Sequence, residues 1–360
     1  MFNVAKSKKG LEMKLSRIKF GAFVAAATLL SACGSAASST SSASGSAATS
    51  SSTVKTVSAL MNYYASATQA GFFYANKLGL YAKQGLKVTL VQSSGSQTTA
   101  ELVGSGKYNI GYADGPTAMQ AISKGANDII VAPIIQTTSQ SIVSLASSGI
   151  TSISQLAGKS VGVGAGTVGA AVLPVILKAN GVNPASVKAT VVSSSTPPLP
   201  LLEAGTINAF LGAQDLQDVE LQLEGAKINV IPFSKVGGGF LGTSIIVNKT
   251  YFQKHPNTVK KFIAGSLAGW AAAKANPSAA AASIKAAVST AGSSQLLTAG
   301  TKADVALLCY TGAKTLGNAP IADWNFTYKG RGQPVIATAL VIVASSCKGR
   351  RSNARSTSRR

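Results

Sequence analysis

Histidine and arginine are almost missing from the body of this 360-residue chain, and their scarcity removes much of the chemistry that a protein of this size could carry. His255 is the single histidine, so a two-histidine metal site or a His/Cys zinc cluster has no ligands to draw on. A Ser-His-Asp triad has only that one ring to use. No arginine stands between Arg17 and Arg331, which takes away the side chain best shaped to grip phosphate or carboxylate in two-pronged fashion. Three cysteines are too few for a disulfide scaffold. Charged residues make up only 12% of the chain, while hydrophobic residues reach 46%, enough to build a core and too many for a disordered protein. The formal net charge of +22 suggests a nucleic-acid partner, but residues 1–33 and 329–360 hold 14 of the 33 basic groups against 1 of the 11 acids. The remaining lysines are scattered singly with no basic stripe, so no nucleic-acid partner is expected.

What the ends do contain is an address. Lys6, Lys8, Lys9, Lys14, Arg17 and Lys19 lead into the apolar stretch Gly21–Leu30 and then Leu30-Ser31-Ala32-Cys33. The apolar run is shorter than the roughly 20 residues of a membrane span and ends in small residues, as a secretory signal does. Leu-Ser-Ala-Cys matches the lipobox of bacterial lipoproteins, so Cys33 is expected to be diacylated and to become the new N-terminus. Residues 34–53 are all Gly, Ser, Ala or Thr, a flexible tether with a reach of about 25 Å. The expected product is exported and lipid-anchored on the outer face of the cell membrane. Cys309 and Cys347 are left to pair or to stay free.

From Val54 the chain alternates short apolar runs with helix-like stretches. Thr56–Asn62, Leu86–Gln92, Tyr108–Tyr112 and Asp128–Ile135 read as strands, each followed by small polar residues and a helix start. The pattern recurs after Thr151, and the long helical region Pro256–Leu308, broken by Pro277 and Gly292, closes the body. The expectation is an α/β protein with two mostly parallel sheets in two lobes and a ligand cleft between them. Residues 54–145 form the first part of lobe I, 146–235 lobe II, and 236–328 the return to lobe I with the C-terminal helices.

In such sheets ligands bind at the carboxyl ends of the strands. The loops there are rich in hydroxyls, amides and aromatics, with two carboxylates and no evident nucleophile–base pair. One motif imitates a dinucleotide fingerprint: Gly164-x-Gly166-x-x-Gly169 follows a strand and opens a helix. No Asp or Glu ends the next strand, Val187–Val192, so the cofactor reading fails and no cofactor is expected. Asp215 reads as an N-cap for Leu216–Leu223.

Several segments together resemble a known family. Ala70-Gly71-Phe72-Phe73-Tyr74-Ala75, Gly79-Leu80-Tyr81 and Gly85-Leu86-Lys87-Val88 resemble the opening of solute-binding proteins in the thiamine-pyrimidine, sulfonate and nitrate family of ABC importers. Gly104–Gly111 with Asp114, Ile135-Gln136 with Ser148-Gly149-Ile150, Leu156–Val163 and Phe262–Pro277 follow in the expected order. The resemblance covers about residues 54–328 and implies a two-lobed periplasmic-binding-protein clamshell that works as a monomer. Such a protein captures a small solute and hands it to a membrane permease and its ATPase. Within the family the segments look more like the thiamine-pyrimidine branch, and the lack of arginine speaks against a sulfonate, taurine or nitrate. The expected ligand contacts are Tyr63, Tyr64, Thr68, Phe72, Ser94, Ser96, Asp114, Gln136, Thr138, Gly166, Thr167, Ser195 and Gln214. Tyr63, Tyr64 or Phe72 would stack on a heterocycle, and Asp114 would accept from its amine.

The related pyrimidine synthases need a sacrificial histidine, a cofactor-linked lysine and a cysteine-rich loop; this chain has His255 only and no cysteine cluster, so it is expected not to be an enzyme. A surface adhesin is the other alternative. After Asp323-Trp324-Asn325-Phe326, where the family continues with a helix and an aromatic segment, Lys329–Arg360 turns abruptly arginine-rich and reads as a shifted frame or a non-homologous tail.

Overall fold

Lys55–Leu60 (β1) and Leu86–Val91 (β2) are rich in β-branched and aliphatic residues, which favour a pleated, half-buried strand. They pair in parallel, from Lys55 opposite Leu86 to Leu60 opposite Val91. Parallel pairing needs a crossover, supplied by the helix Ala70–Lys77 (α1). The computed structural model describes residues 54–308 apart from 165–166, 194–196 and 238–239. The signal and Cys33, the tether, Cys309, Cys347 and the tail 329–360 lie outside the described residues.

The first lobe continues with Ser96–Gly104 (α2), Ile110–Asp114 (β3), Gly115–Ser123 (α3) and Asp128–Pro133 (β4). The chain then enters the second lobe through Gln140–Leu145 (β5). There follow Ser160–Gly164 (β6), Val168–Ala179 (α4), Lys188–Val192 (β7), Pro198–Glu203 (α5), Ala209–Ala213 (β8), Gln217–Leu223 (α6) and Ile228–Pro232 (β9). Thr243–Asn248 (β10) returns to the first sheet. The sheet orders are β2-β1-β3-β10-β4 and β7-β6-β8-β5-β9.

Both sheets are mixed, with four of five strands running in one direction, in keeping with the expectation of mostly parallel ones, and one against them. Each receives one antiparallel strand from the chain as it crosses over: β5 lies between β8 and β9, and β10 between β3 and β4. The two connections run side by side. Ile134 and Ile135 donate their backbone N–H groups to the Thr243 carbonyl at 3.0 and 3.1 Å, and Thr138 donates to the Phe240 carbonyl at 3.1 Å. The crossover is a two-stranded hinge whose backbone groups satisfy one another.

The helical region divides into Lys249–Lys254 (α7), Pro256–Ala275 (α8), Pro277–Ala287 (α9) and Ser294–Leu307 (α10). Asn276 caps α9 by accepting from the Ala279 N–H, with Pro277 at the first helical position, and Ser293 caps α10 through the Leu296 N–H. α8 lies on α1 at backbone distance. A Cβ on Gly71 would overlap the Trp270 ring, and one on Gly269 would overlap the Gly71 carbonyl. Trp270 then meets Phe72 edge-on, with ring centroids 6.2 Å apart, and Phe72 stacks on Phe262 at 6.3 Å. Tyr81 stacks on the other side of Phe262 at 5.4 Å, its hydroxyl 2.8 Å from Ser266 Oγ. This aromatic pile is the core of the first lobe.

Candidate functional site

A cavity of about 150 Å³ opens between the carboxyl ends of the two sheets' parallel strands, where this topology places ligands. A cavity of that size holds one benzene-like ring. Its walls come from the loop after β1, the start of α2, the end of β3, the entry to β5, the end of β6 and the β8–α6 turn.

The first loop is set by one buried amide. Gln69 Nε2 donates to Asn62 Oδ1 at 3.0 Å, to the Tyr63 carbonyl at 3.3 Å and to the Tyr64 carbonyl at 3.0 Å, which brings Asn62, Tyr63, Ser66 and Thr68 to the cavity wall. The Tyr63 and Tyr64 rings lie 4.1 Å apart and tilted; Tyr63 lines the cavity, whereas Tyr64, expected as a contact, is not among the lining residues and is 41% exposed. The Tyr64 hydroxyl is pushed up to about 12 by burial, then by the charges of its neighbour Tyr63 and of Glu220 and Asp215 from the second lobe.

Asp114 ends β3 and enters the cavity as the residue before α3. Ser96 Oγ donates to its Oδ2 at 2.8 Å, and the Asp114 N–H donates back to Ser96 Oγ at 3.0 Å. Burial pushes its carboxyl above the usual range, against the pull of hydrogen bonds from Ser96 and Thr243. From the opposite lobe comes Asp215, 5% exposed and also lining the cavity. It does not cap α6: the helix begins at Gln217, and no side chain caps it. Asp215 Oδ1 has no hydrogen-bond partner. Burial raises its pKa most, Ser139 offsets this with a hydrogen bond, and Asp114 adds to it by repulsion.

The structure brings Tyr63, Thr68, Ser94, Ser96, Asp114 and Thr167 of the expected contacts to one cavity. It places others elsewhere. Phe72 is fully buried in the aromatic core, 4.7 Å from the Tyr112 ring, because Gly71 lets α8 close over it. Gln136 and Thr138 are buried in the hinge, where the Gln136 N–H donates to the Leu307 carbonyl and Thr138 Oγ1 accepts from the Gln140 N–H. Gln214 clamps the same hinge, donating through its backbone and side chain to the Ser139 carbonyl at 2.9 and 3.2 Å. Gly166 and Ser195 lie outside the described residues. The expected contacts leave out Asn62, Ser139, Gln140, Gln217 and Thr243, and Asp215 does not take the capping task expected of it; an acid in the loop after a strand was the signal for that one.

A family model described as NMT1/THI5 like matches residues 66–280. A 4-amino-5-hydroxymethyl-2-methylpyrimidine phosphate synthase from Uromyces fabae is 27% identical over 234 residues, which span 61% of this chain and 67% of that protein. Among solved structures, the periplasmic aliphatic sulphonate-binding protein SsuA from Escherichia coli superposes with a TM-score of 0.59 at 15% identity, covering 69% of this chain and 83% of that one. The periplasmic nitrate-binding protein NrtA from Synechocystis PCC 6803 gives 0.52 at 13% identity, covering 64% and 66%. The fold is thus the expected periplasmic-binding-protein clamshell. The expectation that the chain is not an enzyme is corrected: relatives at 23–27% identity are named as 4-amino-5-hydroxymethyl-2-methylpyrimidine phosphate synthases.

Proposed function

We propose, on the premise that this chain belongs to the NMT1/THI5-like family, that its cleft captures a single-ring amino-heterocycle of the thiamine-pyrimidine kind outside the cytoplasm. The solute is passed to an ABC permease and its ATPase. The observation that carries this reading is the cavity wall: hydroxyls and amides around the buried Asp215 and the half-buried Asp114, with no Lys, Arg or His among the described residues that line it. Carboxylates accept from an exocyclic amine and repel a sulfonate or nitrate. The ring would lie against Tyr63, and the cavity volume suits one ring better than a fused system.

The test is thermal unfolding of the full chain with 4-amino-5-hydroxymethyl-2-methylpyrimidine. At a hundred times its dissociation constant the ligand should add about 2.7 kcal/mol of stability. An unmoved midpoint with the pyrimidine, alongside a raised one with taurine or nitrate, sinks the reading. Anchoring rests on Cys33 in Leu-Ser-Ala-Cys. Cys33→Ser should shift the protein from the membrane fraction to the soluble one or leave it unprocessed; unchanged fractionation and an unchanged mass at residue 33 overturn it.

A further inference from the structure

The cleft carries more carboxyls than an amine contact requires. Asp114 and Asp215 line it from opposite lobes, and Asp218 and Asp304 feel the charge of Asp215. Tyr112, Tyr64 and Glu220 are the other titratable groups felt across this cluster, and each is an acid or a phenol. Among the described residues no basic one lines the cavity, and the internal segments outside them are Ala, Gly, Ser and Thr only. Among the described residues no group of three His, Cys, Asp or Glu is placed to hold a metal ion.

Most of these carboxylates have local donors. Ser96 serves Asp114 and Ser141 serves Asp218 at 2.7 Å. Ser139 serves Asp215 in the same way, and Asp215, like Asp218, keeps an Oδ1 without a partner; of the two, Asp215 is the one that lines the cavity, 5% exposed. An orphaned, buried acceptor beside an open cavity asks for a donor from the ligand. The first turns of α2, α3 and α4 also point at the cleft, since Gly95, Asp114 and Thr167 precede them, and each end offers about half a positive charge to an anion. Asp114 occupies the end of α3 itself, and burial raises the pKa of both it and Asp215, so a bound cation, unlike an anion, would favour the ionised form of each.

We infer that the cleft takes its ligand as a cation, with Asp215 as the counter-charge across from Asp114, and turns away the phosphate ester of the same ring. The inference rests on the amino-heterocycle reading for the ring but not for the charge. It separates this chain's site from its relatives' named product, which carries a phosphate that nothing on this cavity wall would neutralise. A protonated or quaternised ring nitrogen, or an amidinium, meets both carboxylates at once and would draw the lobes together on it.

The test is calorimetric titration of the full chain with two matched sets of probes. The first set is 4-amino-5-hydroxymethyl-2-methylpyrimidine, its N1-methyl cation and its phosphate ester; the second is benzamidinium and benzenesulfonate. The N1-methyl cation should bind at least about a hundredfold more tightly than the phosphate ester, and Asp215→Asn should cut that advantage by about ten- to a hundredfold. If benzamidinium binds, benzenesulfonate does not and all pyrimidines fail, the charge inference stands and the pyrimidine reading falls. If the phosphate ester equals the N1-methyl cation, the inference falls and the pyrimidine reading survives; if benzenesulfonate equals benzamidinium, the inference falls and the pyrimidine reading stands or falls with binding of 4-amino-5-hydroxymethyl-2-methylpyrimidine itself. No binding of any probe below about 1 mM overturns both. Should Asp215→Asn fail to fold, Asp114→Asn puts the same question to the opposite lobe, with the same loss of cation preference expected.

Discussion

Asp114→Asn should weaken capture of the aminopyrimidine by about ten- to a hundredfold, the cost of about 1.5–3 kcal/mol for losing a charged hydrogen bond in a closed cleft. The carboxylate is fixed before any ligand arrives. Ser96 donates its hydroxyl to Oδ2 and takes the Asp114 backbone N–H in return, so the serine is held in place and the side chain cannot swing away from the cavity without breaking the Oδ2 bond. A carboxylate has acceptor sites for more than one donor, and the ligand's amine would take one of those that remain. An asparagine in the same place either turns its NH₂ toward the amine, donor against donor, or donates it to the Ser96 oxygen, which can accept again, and meets the amine with a neutral carbonyl in place of a carboxylate. For a sulfonate or nitrate the same exchange removes a like charge, and binding should tighten. The sign of the change in dissociation constant therefore chooses between the ligand classes. Stability supplies the control: burial disfavours the charged form of Asp114, so the neutral isostere should unfold no earlier than the parent, and an affinity loss cannot be put down to misfolding.

Much of this site could be read from residues, because hydroxyl-rich loops after short apolar runs mark strand ends whatever the sheet does next. Ser94, Ser96, Asp114 and Thr167 were found in that way. Two strands were not. Thr243–Asn248 is buried at every position and Gln140–Leu145 at four of six, since each lies inside a sheet covered on both faces, so neither shows the alternation that betrays a half-buried strand. Missing them meant missing the hinge, and with it the burial of Gln136 and Thr138 and the task of Gln214. Phe72 misled for another reason. Its place is decided by Gly71 beside it and by Trp270 some two hundred residues later, and no local pattern joins those positions. Asp215 had the look of a cap, but α6 starts one residue too late for it, which frees its carboxylate for the cavity.

The second large effect is on stability, at Asp218. This residue in the first turn of α6 is 3% exposed, takes the Ser141 hydroxyl on Oδ2 at 2.7 Å and leaves Oδ1 without a partner. Its pKa is pushed up to about 7, chiefly by burial and further by the charge of Asp215, despite the Ser141 bond. In the unfolded chain an aspartate titrates near 3.9. Between those values the native state holds a proton that the unfolded state has lost, so stability falls as pH rises through this window. The contribution is fully present below about pH 4, is lost progressively up to about pH 7, and changes little above that. A gap of about three pH units corresponds to about 4 kcal/mol as an upper bound, since relaxation around the ion returns part of it. Asp218→Asn cannot ionise and still accepts from Ser141 through its carbonyl oxygen. The variant should therefore match the parent near pH 4 and exceed it by about 2–4 kcal/mol at pH 8. Asp114, Asp128, Asp215 and Asp304 are raised by burial too, so both proteins will lose stability on the way up. Only the difference between their urea-denaturation curves isolates Asp218, and a difference that stays constant from pH 4 to pH 8 would show that its carboxyl is already ionised in the folded protein.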